Sequence, residues 1–145
     1  MKIRWGGVAV AALVVAVVAG LVHSGRTLTR DSALAEAQVP VFHRALNEGR
    51  YAALYAAGAD ELKKSARQDD FVALLDAVHR KLGAVTASHK LSWHVNFGTT
   101  GTYASLAYDT QFEHGSGTEQ FFYRIQGGKA FLAGYHIESA ALVEN

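Results

Sequence analysis

A chain of 145 residues is long enough for one domain and a short additional segment. Fourteen Lys and Arg residues face 13 acidic ones, a net charge of +1 without a basic stripe, which excludes an electrostatic surface for nucleic acid. The lack of cysteine excludes disulfides, thiolate metal sites, a cysteine nucleophile and a lipid-modified N-terminal cysteine.

Met1 to Trp5 form a short positive cap through Lys2 and Arg4, and Gly6 to Val22 follow as an uncharged run rich in Val, Ala and Leu. As a helix this run is about 26 Å long, close to a hydrocarbon core of ~30 Å, and Trp5 and His23 extend it at the two interfaces. A secretory signal has an apolar region of roughly 7–15 residues and a small-x-small cleavage site. Here the run is longer, and Val22-His23-Ser24 is a poor site. The expectation is an uncleaved single-pass anchor through residues 6–22, with a cleaved signal and a periplasmic or secreted product as the alternative. Lys2 and Arg4 outweigh Arg26 and Arg30, which Asp31 offsets, so the domain is expected outside the cytoplasm. The expected organisation is a signal-anchor over 1–25, a linker over 26–30 and an extracytoplasmic domain over 31–145.

Helical spacing predicts a helix from Asp31 to Gly49, kinked at Pro40, with stripes through Leu34, Val41 and Ala45 and through Gln38, Phe42 and Leu46; the alternative is a helix that starts near Val39 after a separate turn. Tyr51 to Ala57 and Asp60 to Ser65 read as short helices. The best amphipathic pattern is Asp69 to Leu82, where Phe71, Leu74, Leu75, Val78 and Leu82 form one apolar stripe. Asp69 and Asp70 suit its N-terminal end, and His79, Arg80 and Lys81 its C-terminal end.

From Val85 the period changes to two. Val85, Ala87, His89, Leu91, Trp93, Val95 and Phe97 alternate with polar residues, which predicts a strand with one face on a core. Further strands are predicted over Thr102 to Glu113, Thr118 to Gln126 and Lys129 to Ser139. The loops between them contain Gly98-Thr99-Thr100-Gly101, His114 to Gly117 and Gly127-Gly128, the last suited to a type I′ turn. The fold class is therefore α+β, with N-terminal helices on one face of a four-stranded antiparallel meander, preceded by a single apolar helix. On the third and fourth strands large residues occur on both faces. A twisted sheet with half-covered edges accounts for this; the alternative is a partner surface, for which Phe122, Arg124, Leu132 and His136 are the candidate interaction surface on the outer face.

Helices followed by a four-stranded meander resemble the cystatin-like arrangement and, more broadly, the superfamily of nuclear transport factor two and ketosteroid isomerase. The runs Phe42, Ala45 to Tyr51, Asp70-Phe71, Leu82-Gly83, Tyr108 to Phe112, Glu119 to Phe121 and Leu132 to Ile137 are similar to small exported bacterial domains of unknown function. The likeness covers roughly Asp31 to Leu142. The chain departs from the nuclear transport factor two pattern in lacking a strand pair between the second and third helices, which favours the simpler cystatin-like sheet on helix. The resemblance brings no chemistry to carry over.

An isomerase-like site needs a carboxylate base in an apolar pocket with an acid donor opposite. Tyrosines supply donors, and Tyr55, Trp93, Tyr108 and Tyr135 are the candidate lining of a ligand pocket. Asp109, Glu113 and Glu138 fall on the outward face. Glu119 shares parity with Phe121 and Tyr123 but sits at the expected loop end of its strand. No catalytic residue is assigned. Histidines at 89, 94, 114 and 136 have no ligand spacing, so no metal is expected, and no cofactor. His89, among apolar neighbours, reads as a core-edge histidine. The reading that follows is an exported or membrane-anchored binding or interaction module, with an envelope protein or a second copy as partner. The alternative is a small-molecule pocket with isomerase-like or hydrolytic activity.

Overall fold

The computed structural model describes residues 25–143. The chain divides into two compact units, Met1–Arg30 and Asp31–Asn145. In the first, residues 25–30 are helical, and the Thr29 hydroxyl donates to the carbonyls of Gly25 and Arg26. The apolar run Gly6 to Val22, read as a membrane anchor, lies outside the described residues. Among those described, no helix is long and apolar enough to cross a membrane.

The second unit opens with helical residues 31–36 (α1), followed by α2 (Gln38–Asn47), α3 (Tyr51–Ala56), α4 (Asp60–Ser65) and α5 (Gln68–Leu82). A single kinked helix through Pro40 is not what forms. A turn at Ala37 separates α1 from α2, and Pro40 is the third residue of α2. In the first turn its missing N–H has no helical partner to lose. The buried side of α2 is Val39, Phe42, His43, Ala45 and Leu46, whereas Val41 is half exposed at 51 %. In α5 the buried residues are Phe71, Leu75, Val78 and Leu82; Leu74, expected in that stripe, flanks it and is exposed. Four large side chains at roughly 1.5–3 kcal/mol each make α5 a principal apolar partner of the core.

The sheet comprises β1 (Val85–Gly98), β2 (Gly101–Phe112), β3 (Gly115–Gln126) and β4 (Lys129–Glu138), antiparallel and in sequential order. A short α6 (Ala140–Val143) follows. Gly127 and Gly128 both have positive φ, at 58° and 71°, as a type I′ turn between β3 and β4 requires. The inner face of β2 is the expected one: Ala104, Leu106, Tyr108, Thr110 and Phe112 are all buried.

Register departs from strict alternation at three places. On β1, Thr86 and Leu91 are extra residues, since Val85 and Ala87 pair with Phe112 and Gln111, and Lys90 and Ser92 pair with Tyr108 and Ala107. Each extra residue turns the following segment over. Trp93, Val95 and Phe97 therefore keep the core-side parity, but only Val95 is buried there and Trp93 and Phe97 are exposed, so the expected core face of β1 is mostly open; His89 pairs with Asp109 on the outer face and is exposed, not at the core edge. On β4, Phe122 and Tyr123 pair with Gly134 and Leu132, so Ala133 is the extra residue. That brings Leu132 onto the face of Tyr123, where it is buried, and removes it from the expected outer surface. The free edge of β4 is partly closed because the Ala59 N–H donates to the Leu132 carbonyl. A side chain at Gly58 would clash there, with its Cβ 2.6 Å from Leu62 Cδ2 and 3.1 Å from the Leu132 carbonyl oxygen.

Candidate functional site

The most concentrated chemistry in the domain surrounds Glu119, which is fully buried. Three elements aim donors at it. The Thr110 hydroxyl from β2 donates to Oε2 at 2.6 Å, and the Tyr135 hydroxyl from β4 donates to Oε1 at 2.7 Å. His43 from α2 places Nε2 2.6 Å from Oε2. The two hydroxyls arrive diagonally: Glu119 pairs directly with Tyr108 and Ile137, while Thr110 and Tyr135 pair with Gly117 and Phe121. Such diagonal neighbours are within reach of long side chains on one face of a sheet.

An aromatic shell encloses this network. The Phe42 ring lies 5.1 Å from Phe121 and 4.7 Å from Tyr135, and His43 lies 5.8 Å from Phe121. In these surroundings Tyr135 is held above the ordinary tyrosine value by burial, by the field of Glu119 and by its bond to that carboxylate. Burial and Glu119 push Tyr123 up as well, and its hydroxyl is buried without a hydrogen-bond partner among the described residues.

His43 connects this interior to the surface. It helps line a groove of about 470 Å³ between α2 and the first residues of β1, together with Pro40, Arg44, Asn47, Glu48 and residues 85–88. Asn47 ties the walls together: its Oδ1 accepts from the Val85 N–H at 2.8 Å and its Nδ2 donates to the Val85 carbonyl at 3.4 Å. With Nε2 on Glu119, the other ring nitrogen of His43 makes no hydrogen bond among the described residues, and the residue keeps 7 % of its surface exposed. A buried carboxylate that fixes the far nitrogen of an imidazole sets the orientation of the ring and presents the near nitrogen outward.

The expected pocket residues do not converge. Tyr108 and Tyr135 flank Phe121 at ring distances of 5.9 and 5.4 Å. Tyr55 instead packs on Phe71, and its hydroxyl donates to the Ala66 carbonyl at 2.8 Å. Trp93 stands on β1, 41 % exposed. On the outer face Phe122 is exposed beside a hollow of about 300 Å³ bordered by Ser92, His94, Ser105 and Gln120. His136 is also exposed, with Nε2 3.3 Å from Glu138 Oε1. Arg124 is committed elsewhere. Its guanidinium pairs with Glu61 of α4 and lies 5.9 Å from the centre of the Tyr103 ring, whose hydroxyl also donates to Glu61 at 3.0 Å. Among the described residues no group of three or more His, Asp and Glu side chains is placed to hold a metal ion.

Sequence reasoning passed over His43 and discounted Glu119. The signal for His43 was available, because Val39, Phe42, His43 and Leu46 stand at i, i+3, i+4 and i+7. For Glu119 the parity was right and the strand start was wrong: β3 begins at Gly115, so Glu119 is well inside it. Compared with protein-family models and with curated proteins, the chain matches none.

Proposed function

We propose that the chain is a membrane-anchored or exported binding module, and that the groove between α2 and β1 is its ligand site. The observation that carries this reading is His43, a buried side chain held by a fully buried carboxylate and lining a groove of about 470 Å³. That volume lies within the range of small-molecule sites, roughly 300–1,000 Å³. The basic cap and apolar run of residues 1–22 support an anchor with the domain outside the cytoplasm. Helices followed by a meander sheet support the likeness to cystatin-like exported domains. Binding is favoured over turnover because both oxygens of Glu119 are engaged by protein groups and the side chain is fully buried. The exposed Phe122 beside its hollow supports a second reading, in which the outer sheet face meets an envelope protein.

The test is native mass spectrometry of the full chain, extracted gently from its own host. A stoichiometric non-protein mass that the His43→Ala variant loses supports the groove. A bare chain that crosslinks through Phe122 supports the outer face instead and overturns the groove. A reporter fused after Asn145 that is active only in the cytoplasm would overturn the orientation.

A further inference from the structure

We propose that the ligand of this groove is a small carboxylate, gripped by the Arg44 guanidinium and by the Nδ1–H of His43. The inference rests on the groove being the binding site and assigns the chemical class of what enters it.

The first argument is proton bookkeeping. Glu119 is fully buried, and burial disfavours a carboxylate that no cation or proton neutralises. A His43–Glu119 pair of net zero charge, the state this proposal assigns, holds two exchangeable protons. With the shared proton on His43, the ring is doubly protonated and Nδ1 carries a hydrogen. With the shared proton on Glu119, it points at Nε2, and the remaining imidazole hydrogen is again on Nδ1. In both net-neutral arrangements Nδ1 is a donor. A ligand that offers an acceptor is matched, and one that offers only N–H groups is not.

The second argument is the charge left over. Glu48, the acidic side chain of the groove, accepts from Arg50 Nε at 2.7 Å. Arg44, exposed on the same wall, takes part in no ion pair among the described residues. The groove therefore carries one uncompensated positive charge, on the side chain whose planar fork fits two carboxylate oxygens. Asn47 is engaged at both ends of its amide by Val85, which fixes it as a wall of the groove.

The experiment titrates the full chain in mild detergent with benzoate and succinate, and in parallel with benzamide and succinamide. The readout is the His43 imidazole nitrogen resonances, with affinity from calorimetry. The proposal expects saturable shifts at His43 with the acids, amides weaker by about tenfold or more, and a similar loss in Arg44→Ala at an unchanged thermal midpoint. Arg44→Lys is expected to retain part of the affinity. Saturation by the amides alone would overturn the carboxylate while leaving the groove as a binding site. Shifts confined to His94 or His136 on the outer face, with His43 silent, would overturn both the proposal and the groove. Acid binding that Arg44→Ala leaves intact would also overturn it.

Discussion

Tyr135 and Glu119 lie on adjacent strands but are not cross-strand partners; the hydroxyl reaches diagonally across β3 and β4 to close the carboxylate at 2.7 Å. Tyr135→Phe removes that donor and leaves the aromatic packing against Phe42 and Phe121. The expected loss is about 1.5–3 kcal/mol, the size of a hydrogen bond to a charged group, read from urea midpoints. Glu119→Ala strands the Thr110 and Tyr135 hydroxyls and the His43 ring at once and should cost about 3–5 kcal/mol. A Glu119→Ala variant as stable as the parent would show that the network contributes little to folding.

Neighbouring leucines of α5 should behave differently. Leu75 is fully buried, so Leu75→Ala is expected to cost about 2–5 kcal/mol and Leu75→Asp to abolish folding. Leu74, 41 % exposed, should tolerate Ser within about 0.5 kcal/mol. Thermal melts of the three variants test which side of the helix faces the core.

Alkali should expose the buried phenols. Burial and the Glu119 carboxylate hold both Tyr123 and Tyr135 above the ordinary value of about 10. The unfolded chain ionises these groups first. Their stabilisation is therefore complete below about pH 10 and declines as pH rises toward the folded-state values. Absorbance titration should show an amplitude near pH 10 that Tyr123→Phe and Tyr135→Phe leave unchanged, and a delayed amplitude, coincident with unfolding, that each reduces.

Acid should act through Glu36. Burial raises this carboxyl, but its bonds to Lys90 and Ser32 and the Lys90 charge outweigh that and hold it below the ordinary carboxylate value. Its contribution is therefore present above the unfolded-state value of about 4.3 and is lost as pH falls through the folded-state value. Glu36→Gln should flatten the acid limb of the stability profile and change little at neutral pH, where such half-exposed pairs contribute modestly.

Periodicity made α3, α4 and α5, the meander and the β2 core face legible, because short helices and hairpins of this kind follow local turn chemistry and alternation. What it could not deliver was register after a bulge. Nothing local marks Thr86, Leu91 or Ala133 as extra residues; each is extra because packing on both sides of it prefers a different phase. Two of the three misplaced a candidate, His89 and Leu132. The site itself depends on residues 76 positions apart, His43 and Glu119, whose meeting is a tertiary fact. Each carried a trace in its own segment, but no one-dimensional pattern joins them.

The extra residues on β1 have a consequence for how the protein behaves when concentrated. This strand is 14 residues long, forms an outer edge of the sheet, and bears Leu91, Trp93 and Phe97 exposed. A flat edge of that length and character is a template onto which another chain can add, the first step toward cross-β fibrils. Bulges at Thr86 and Leu91 bend and twist the ladder and break the continuous row of amide and carbonyl groups that a growing fibril needs. Deleting Leu91 would straighten the edge, and the insoluble fraction on storage would measure how much protection that single residue provides.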